Sequence, residues 1–260
     1  MIQPAPGFLE DAAAIGIEFE PGEVEKLGRY LALLLETNKT HNLTAITEPA
    51  EMWRRHVLDS LTLVGVLESS DSATQQRSDE AGQEDGDSAR AESLRRSVTA
   101  SLRVIDVGSG GGLPGVPLAI VMPHIRFTLL EATGKKAEFL KRVVAELGLA
   151  NVRVVQARAE RAGRADEHRE KYDFAVARAV GPMSVIAELC VPLVKVGGSI
   201  VLIKGQKADE ELAAAKKALH MLHAVHAGTV ETPTGRIVVL DKPRKTPAAY
   251  PRADGEPKNK

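Results

Sequence analysis

Asp106 sits near the end of a short apolar run, Val104-Ile105-Asp106-Val107, and Gly108, Gly110, Gly111, Gly112 and Gly115 follow at once. A buried strand that ends in an acid and then in glycines can press its backbone against a ligand. Glycine reaches positive φ and has no Cβ to hold the ligand away. Gly110, Gly112 and Gly115 satisfy G-x-G-x-x-G, by itself a weak sign of a dinucleotide turn. Gly108, Gly110 and Gly112 satisfy instead the G-x-G-x-G turn of proteins that use S-adenosylmethionine (SAM). The acid favours the second reading, because Asp106 repels a pyrophosphate and suits a cationic sulfonium. Glu131 follows the next apolar run, Phe127–Leu130, where such folds set an acid against ribose hydroxyls. NAD and SAM both carry that ribose, so Glu131 predicts a nucleoside ligand without choosing between them.

Two cations close later runs: Arg178 after Phe174–Ala177 and Lys204 after Ile200–Ile203. A cation beside a sulfonium is unfavourable, so their chemistry points to the target nucleotide or a phosphate, held by charge-assisted hydrogen bonds. The plainer reading of each is a solvated charge or a salt bridge to Asp106 or Glu131. Arg55 and Asp59 stand four apart on an expected helix, the spacing of an intrahelical ion pair, and His56 beside them reads as a hydrogen-bonded core residue. Asn38 and Asn42 suit a helix end or a pocket contact. Cys190 is the sole cysteine, which excludes an internal disulfide and a cysteine zinc site, and no metal site is expected. It lies inside the apolar stretch Ile186–Leu193 and reads as core, so thiolate attack on a pyrimidine C5 lacks its nucleophile. The N/D-P-P-Y/F motif of enzymes that methylate exocyclic amines is missing too, since Ala177-Arg178-Ala179-Val180-Gly181-Pro182 stands in its place.

These residues need a scaffold. Short apolar runs at Val104–Val107, Phe127–Leu130, Val152–Val155, Phe174–Ala177 and Ile200–Ile203 predict buried parallel strands. Helical stretches at Pro117–Met122, Lys135–Leu147, Met183–Val191 and Asp209–Leu222 separate them, and a last strand is expected at Ile237–Leu240. Strand–helix alternation of this kind predicts an α/β, Rossmann-like fold with a mostly parallel twisted sheet and helices on both faces. Upstream, Val24, Leu27, Tyr30, Leu31, Leu34 and Leu35 recur at helical spacing behind Pro21, and a second helix is expected over Pro49–Leu67.

Aromatic residues make up only 3% of the chain, so the core must be aliphatic and the composition argues against a platform of base-stacking aromatics. No apolar run approaches the roughly 18 residues of a membrane helix, and the N-terminus has no signal-peptide pattern. A soluble, cytoplasmic protein is expected. The formal charge of −1 hides an asymmetry. Residues 71–93 hold seven acids and two bases, with no apolar anchor, and read as a disordered insert. The tail from Lys242 to Lys260 holds six bases and two acids; Lys242, Arg244, Lys245 and Arg252 in this proline-rich, extended stretch suit RNA phosphates. The expected organisation is a helical region over 1–68, the acidic insert over 69–101, a catalytic domain over 102–241 and the basic tail over 242–260.

Taken in order, several segments carry a resemblance. Asn38-Lys39-Thr40-His41-Asn42-Leu43-Thr44 is similar to N-x-x-x-N-L-T, Arg55-His56-Val57-Leu58-Asp59-Ser60 to R-H-x-L-D-S, and Ile105–Pro117 to I-D-V-G-[ST]-G-x-G-[LF]-P-G-[IV]-P. Ala177-Arg178-Ala179, Ile203-Lys204-Gly205-Gln206, Arg244-Lys245-Thr246-Pro247 and Tyr250-Pro251-Arg252 fit the same pattern. Together they resemble the bacterial small-subunit rRNA guanine-N7 methyltransferases, also called glucose-inhibited division protein B. The resemblance runs from about Val24 to the C-terminus and omits the acidic insert, which departs from the family's short connection. It implies a class I SAM-dependent methyltransferase that modifies N7 of one guanine in 16S rRNA. By the same resemblance Gly108, Leu113, Glu131, Ala159, Glu160 and Arg178 belong to the cofactor site, and the helices carrying Arg55 and His56 close over it. The implied partner is 16S rRNA, the small ribosomal subunit or its assembly intermediate, met by a monomer. From the residues alone, an NAD-dependent oxidoreductase and a non-catalytic RNA-binding module stay open.

Overall fold

The computed structural model describes residues 1–69 and 102–258; the acidic insert, expected to be disordered, lies outside the described residues apart from Ser69. The described strands are β1 (Arg103–Val107), β2 (Arg126–Glu131), β3 (Val152–Gln156), β4 (Tyr172–Arg178), β5 (Val194–Lys204), β6 (Val225–Thr232) and β7 (Gly235–Asp241). They form one sheet in the order β3-β2-β1-β4-β5-β7-β6. The first five strands run parallel, β7 returns antiparallel to β5, and β6 pairs antiparallel with β7. The chain winds outward from β1 to β3 and then resumes on the other side of β1 with β4. The crevice at the carboxyl ends of β1 and β4 is therefore the switch point where open α/β sheets bind ligands.

The helices are α1 (Phe8–Ala14), α2 (Glu23–Asn38), α3 (Pro49–Met52), α4 (Asp59–Leu61), α5 (Gly115–Val121), α6 (Gly134–Leu147), α7 (Ala159–Ala162), α8 (Met183–Cys190) and α9 (Ala208–Leu222). Alternate residues of each central strand face opposite cores. Val104, Phe127, Leu129, Val176 and Val201 pack under α2, α5, α6 and the Trp53 region. Ile105, Val107, Leu130, Ala175, Ala177 and Ile200 pack under α8 and α9. The α/β architecture with helices on both faces thus follows from two-sided burial of nearly every β1, β2 and β4 residue.

Three expectations are corrected. Pro21 does not begin α2; Gly22, at φ 90°, precedes its first residue, Glu23. The single helix expected over Pro49–Leu67 is broken. Pro49 opens α3 behind Glu48, whose side chain accepts from Glu51 N, then Trp53–Leu58 widens into a π-helix, and a turn at residues 62–63 follows α4 before helix resumes over residues 64–69. A buried Trp53, its ring 4.5 Å from that of Phe8, fixes this wide turn against α1. The strand β6 was not expected. It is an edge strand, largely exposed on both sides, so it has no apolar alternation to betray it, and only pairing with β7 defines it.

Candidate active site

The glycine turn leaves β1 between two neighbours. Gly108 N and Ser109 N both donate to Leu130 O, and Gly110 N donates to Glu131 Oε2 at 2.9 Å. Glu131 Oε1 accepts from Thr133 N at 2.7 Å, so this buried carboxylate splices the ends of β1 and β2 and keeps lone pairs for a ligand. On the other side Tyr30 of α2 donates its hydroxyl to Gly111 O at 2.7 Å, and burial pushes its pKa up. That bond, worth about 1 kcal/mol net, ties the N-terminal helices to the turn. Tyr30 was read only as part of an apolar stripe; a lone phenol in a leucine stripe is the one signal that could have marked it.

Of the glycines, Gly108 faces the crevice. It lines a cavity with Val107, Leu130, Glu131, Ala159, Glu160, Val180 and Leu189, among others. Its φ is 75°, and a Cβ there would meet Val180 Cγ2 at 3.1 Å. Gly110, Gly112 and Leu113, expected beside the cofactor, are not among the residues that line this cavity. A Cβ on Gly112 would lie 2.7 Å from Val116 Cγ2, and Leu113 is buried in the core under α2. Asp106 is likewise set back from the cavity. It is fully buried, lies outside the cavity, and its Oδ2 accepts from Gly115 N at 3.1 Å, at the N-terminus of α5. That bond ties the start of α5 to β1, and Gly115 packs there with no room for a Cβ, which would lie 2.8 Å from Asp106 Oδ2.

Burial pushes the Asp106 carboxyl up to about 7, against bonds from the turn that pull it down. A carboxyl raised above its unfolded value contributes stability that is present below about pH 4 and is lost as pH climbs through about 7. Asp106→Asn should therefore gain on the parent as pH rises from 4 to 8, read as the difference in urea midpoints. Parallel midpoint curves for the two proteins across that window would refute the assignment.

A polar cluster lies on the other side of the β4–α8 loop. Arg178, at the end of β4, donates to Arg55 O, to Asp59 Oδ2 at 3.1 Å and to His56 Nδ1 at 3.2 Å. Asp59 Oδ1 accepts from Thr234 in the β6–β7 turn at 2.6 Å. The expected Arg55–Asp59 ion pair is replaced by Arg178–Asp59, because the π-helical turn breaks the four-residue stacking such a pair needs. Neither Asp106 nor Glu131 pairs with Arg178 or Lys204. Lys204 donates to Gly181 O at 2.9 Å and pairs with Glu211 Oε2 at 2.6 Å, and Glu211 also accepts from Met183 N. Lys204 thus props the loop after β4, where Ala179 sits at φ 55°, a strained conformation for a side-chain-bearing residue costing about 1–3 kcal/mol.

His56 is buried as expected, with Nε2 2.8 Å from Thr44 Oγ1. Burial, and then the nearby Arg178 charge, lower its pKa to about 4, so the ring is neutral at pH 7. Asn38 ends α2 by accepting from Leu43 N and Thr44 N and donating to Thr44 O, which sets the loop that reaches His56. Arg55, His56, Asp59, Arg178, Lys204, Glu211 and Thr234 line a cavity of about 510 Å3 together with Ala179 and Gly181. The turn Ala179–Gly181 stands between this cavity and the Gly108 cavity, since Ala179 and Gly181 line the first and Val180 the second. Thr234 and Glu211 escaped the sequence reading because each is an ordinary surface residue until the sheet brings it to Asp59 or Lys204.

The tail also departs from expectation. Lys242 is fully buried, not solvated, and donates to Glu170, Val191 O and Val194 O; burial lowers its pKa despite the Glu170 partner. Arg252 is clamped on Glu188. Arg244 and Lys245 stay exposed. Cys190 is buried and its thiol pKa is pushed up by that burial, which removes it as a nucleophile. Among the described residues no cluster of His, Cys, Asp and Glu is set to hold a metal.

The rRNA small subunit methyltransferase G family model matches residues 23–76 and 87–237 of this chain. A ribosomal RNA small subunit methyltransferase G from Sorangium cellulosum is 44% identical, covering 96% of this chain and 92% of the relative. Proteins of the same name from Alkaliphilus metalliredigens (36% identical, 95% and 93% covered) and Leuconostoc citreum (37%, 97% and 97%) match as fully. With the glycine turn, the Arg55–Ser60 segment and the strand-end Arg178 all inside the matched span, the chain belongs to the rRNA small subunit methyltransferase G family.

Proposed function

We propose that this protein transfers a methyl group from SAM to N7 of a guanine in 16S rRNA. The observation that carries the reading is the pair of cavities flanking the strained Ala179–Gly181 turn, one lined by Gly108 and Glu131, the other by Arg178, His56 and Asp59. The first fits SAM: a Cβ-free floor, apolar walls from Val107, Leu130, Val180 and Leu189, and the carboxylate of Glu131 with lone pairs to spare. Gly108, Glu131, Ala159 and Glu160 would hold it. Its acids, Glu131 and Glu160, suit a cationic donor better than a pyrophosphate. Bound there, SAM supplies an electrophilic methyl group.

Guanine N7 has a lone pair and no proton, so the protein needs neither a general base nor a nucleophile. The residues agree: His56 is neutral and hydrogen-bonded on both ring nitrogens, and Cys190 is buried. What remains for the chain to do is orientation, worth up to roughly 7–11 kcal/mol of barrier when two reactants are held in line. Arg178 is the centre of that work. It locks the π-helical turn to β4 and so fixes the shape of the nucleotide cavity. Arg55 at the rim and the exposed Arg244 and Lys245 are free to meet rRNA phosphates, an attraction that weakens steeply with salt.

Among the described residues no helix is long and apolar enough to cross a membrane. We read the protein as a cytoplasmic monomer that acts on 16S rRNA, free or within the small subunit or its assembly intermediate. The test is primer extension on 16S rRNA after borohydride–aniline cleavage, in cells with and without the gene. A gene-dependent chain break at one guanine is expected. Gene-dependent methyl incorporation into small-subunit rRNA with no such break would overturn the N7 assignment.

A further inference from the structure

The segment from Lys242 to Glu256 bonds to both elements that wall the Gly108 cavity. One wall is the start of α7, with Arg158, Ala159 and Glu160; the other is the end of α8, with Leu189. Gly255 N donates to Glu160 Oε1 at 2.9 Å, and Arg158 Nη2 donates to the same oxygen at 2.8 Å. Asp254 faces Arg161 at 2.7 Å and Arg158 at 3.7 Å. Two residues earlier, Arg252 grips the buried Glu188, next to Leu189, with its backbone N (2.8 Å), Nε (3.0 Å) and Nη2 (2.7 Å). Pro251 fits against Gly163, where a Cβ would lie 2.9 Å from Pro251 Cγ, and its carbonyl accepts from Arg164. Arg169 holds the segment from below through Thr246 O and Tyr250 O.

Glu160 is 4% exposed, and burial alone would raise its pKa; the bonds from Arg158 and Gly255 N outweigh that, so it is held below its ordinary value. A carboxylate at the cavity wall therefore owes its charge and its rotamer partly to a residue of the tail. Exposed pairs such as Arg161–Asp254 contribute little, whereas the Gly255–Glu160 and Arg252–Glu188 bonds end on buried carboxylates and define where the walls stand.

We infer that Arg252 and Gly255 are positioning residues of the cofactor site: the C-terminal strap braces its two walls and so sets cofactor affinity. This rests on the Gly108 cavity being the SAM site. Reciprocity is required of such coupling: if the docked strap tightens cofactor binding, the cofactor must tighten the docking of the strap by the same factor.

The test uses the full chain and S-adenosylhomocysteine. Arg252→Ala and Gly255→Pro, the second removing the amide that reaches Glu160 and undoing the turn that needs φ 84° there, should each weaken S-adenosylhomocysteine binding about tenfold by calorimetry. In turnover the loss should appear in KM for SAM and not in kcat or in KM for RNA. Arg252→Lys, which keeps charge but not the fork, should fall between. In the unaltered protein, S-adenosylhomocysteine should slow amide exchange over residues 250–257, a measurement that stands even if a variant fails to fold. Affinity within twofold of the parent in both variants, or no change in exchange on ligand addition, would overturn the strap. If Gly108→Leu also leaves affinity unchanged, the cavity assignment itself has failed; if it abolishes binding while the strap variants do not, only the strap has failed.

Discussion

Gly108→Leu should weaken S-adenosylhomocysteine binding by at least about 100-fold, the equivalent of two tenfold steps of about 1.4 kcal/mol each, and should remove methyl transfer with it. Two effects combine. The backbone stands at φ 75°, which suits glycine and costs a side-chain-bearing residue roughly 1–2 kcal/mol. The new Cβ also starts 3.1 Å from Val180 Cγ2, so the rest of the leucine must turn into the cavity that the cofactor needs. The loss should be local, because Gly108 stands at the crevice and the neighbouring core residues keep their contacts. Calorimetry with a urea midpoint on the same preparation reads both. Binding within threefold of the parent would move the donor to another part of the protein.

Arg178→Ala should behave in the opposite way: kcat falls by about 100-fold or more, the order expected when a reacting group drifts by an ångström, while S-adenosylhomocysteine affinity stays within about threefold. The resemblance to the family placed Arg178 in the cofactor site. Its guanidinium points to Arg55 O, His56 and Asp59, and it lines the cavity of about 510 Å3 and not the Gly108 cavity. Without it, Asp59 keeps only Thr234, and the π-helical turn loses its tie to β4. Arg178→Lys should recover less than about a tenth of the lost rate, because an ammonium cannot reproduce three bonds from a planar fork. A large loss of cofactor affinity with unchanged kcat would reverse the assignment of the two cavities.

Both expectations depend on features of different origin. Asp106, the glycines and Glu131 are neighbours of their own strands, so local pattern was enough to mark a ligand turn. Yet pattern did not distinguish glycines that face the ligand from those that face the core. Gly108 and Gly112 look alike in a motif, and only the packing of α2, Val116 and Leu140 against the far side of the turn separates them. Asp106 is the sharper case. Its type and place suggest a partner for a positive ligand, whereas the fold buries it in a bond to Gly115 N that no spacing rule displays.

The sequence by itself determined the parallel strands of the sheet, the switch point and the place of the ligand turn, because continuous apolar runs, helix–strand alternation and glycine freedom all act over a few residues. Tertiary structure alone decided the company of the charged side chains: Asp59 meets Arg178 and Thr234, Lys204 props the loop at Gly181, Lys242 is buried, and Gly255 reaches Glu160. A charge takes whichever partner the fold delivers within about 3 Å, and those partners lie up to 175 residues away along the chain. Apolar periodicity reports which face is buried; it holds no record of which opposite charge will be waiting there.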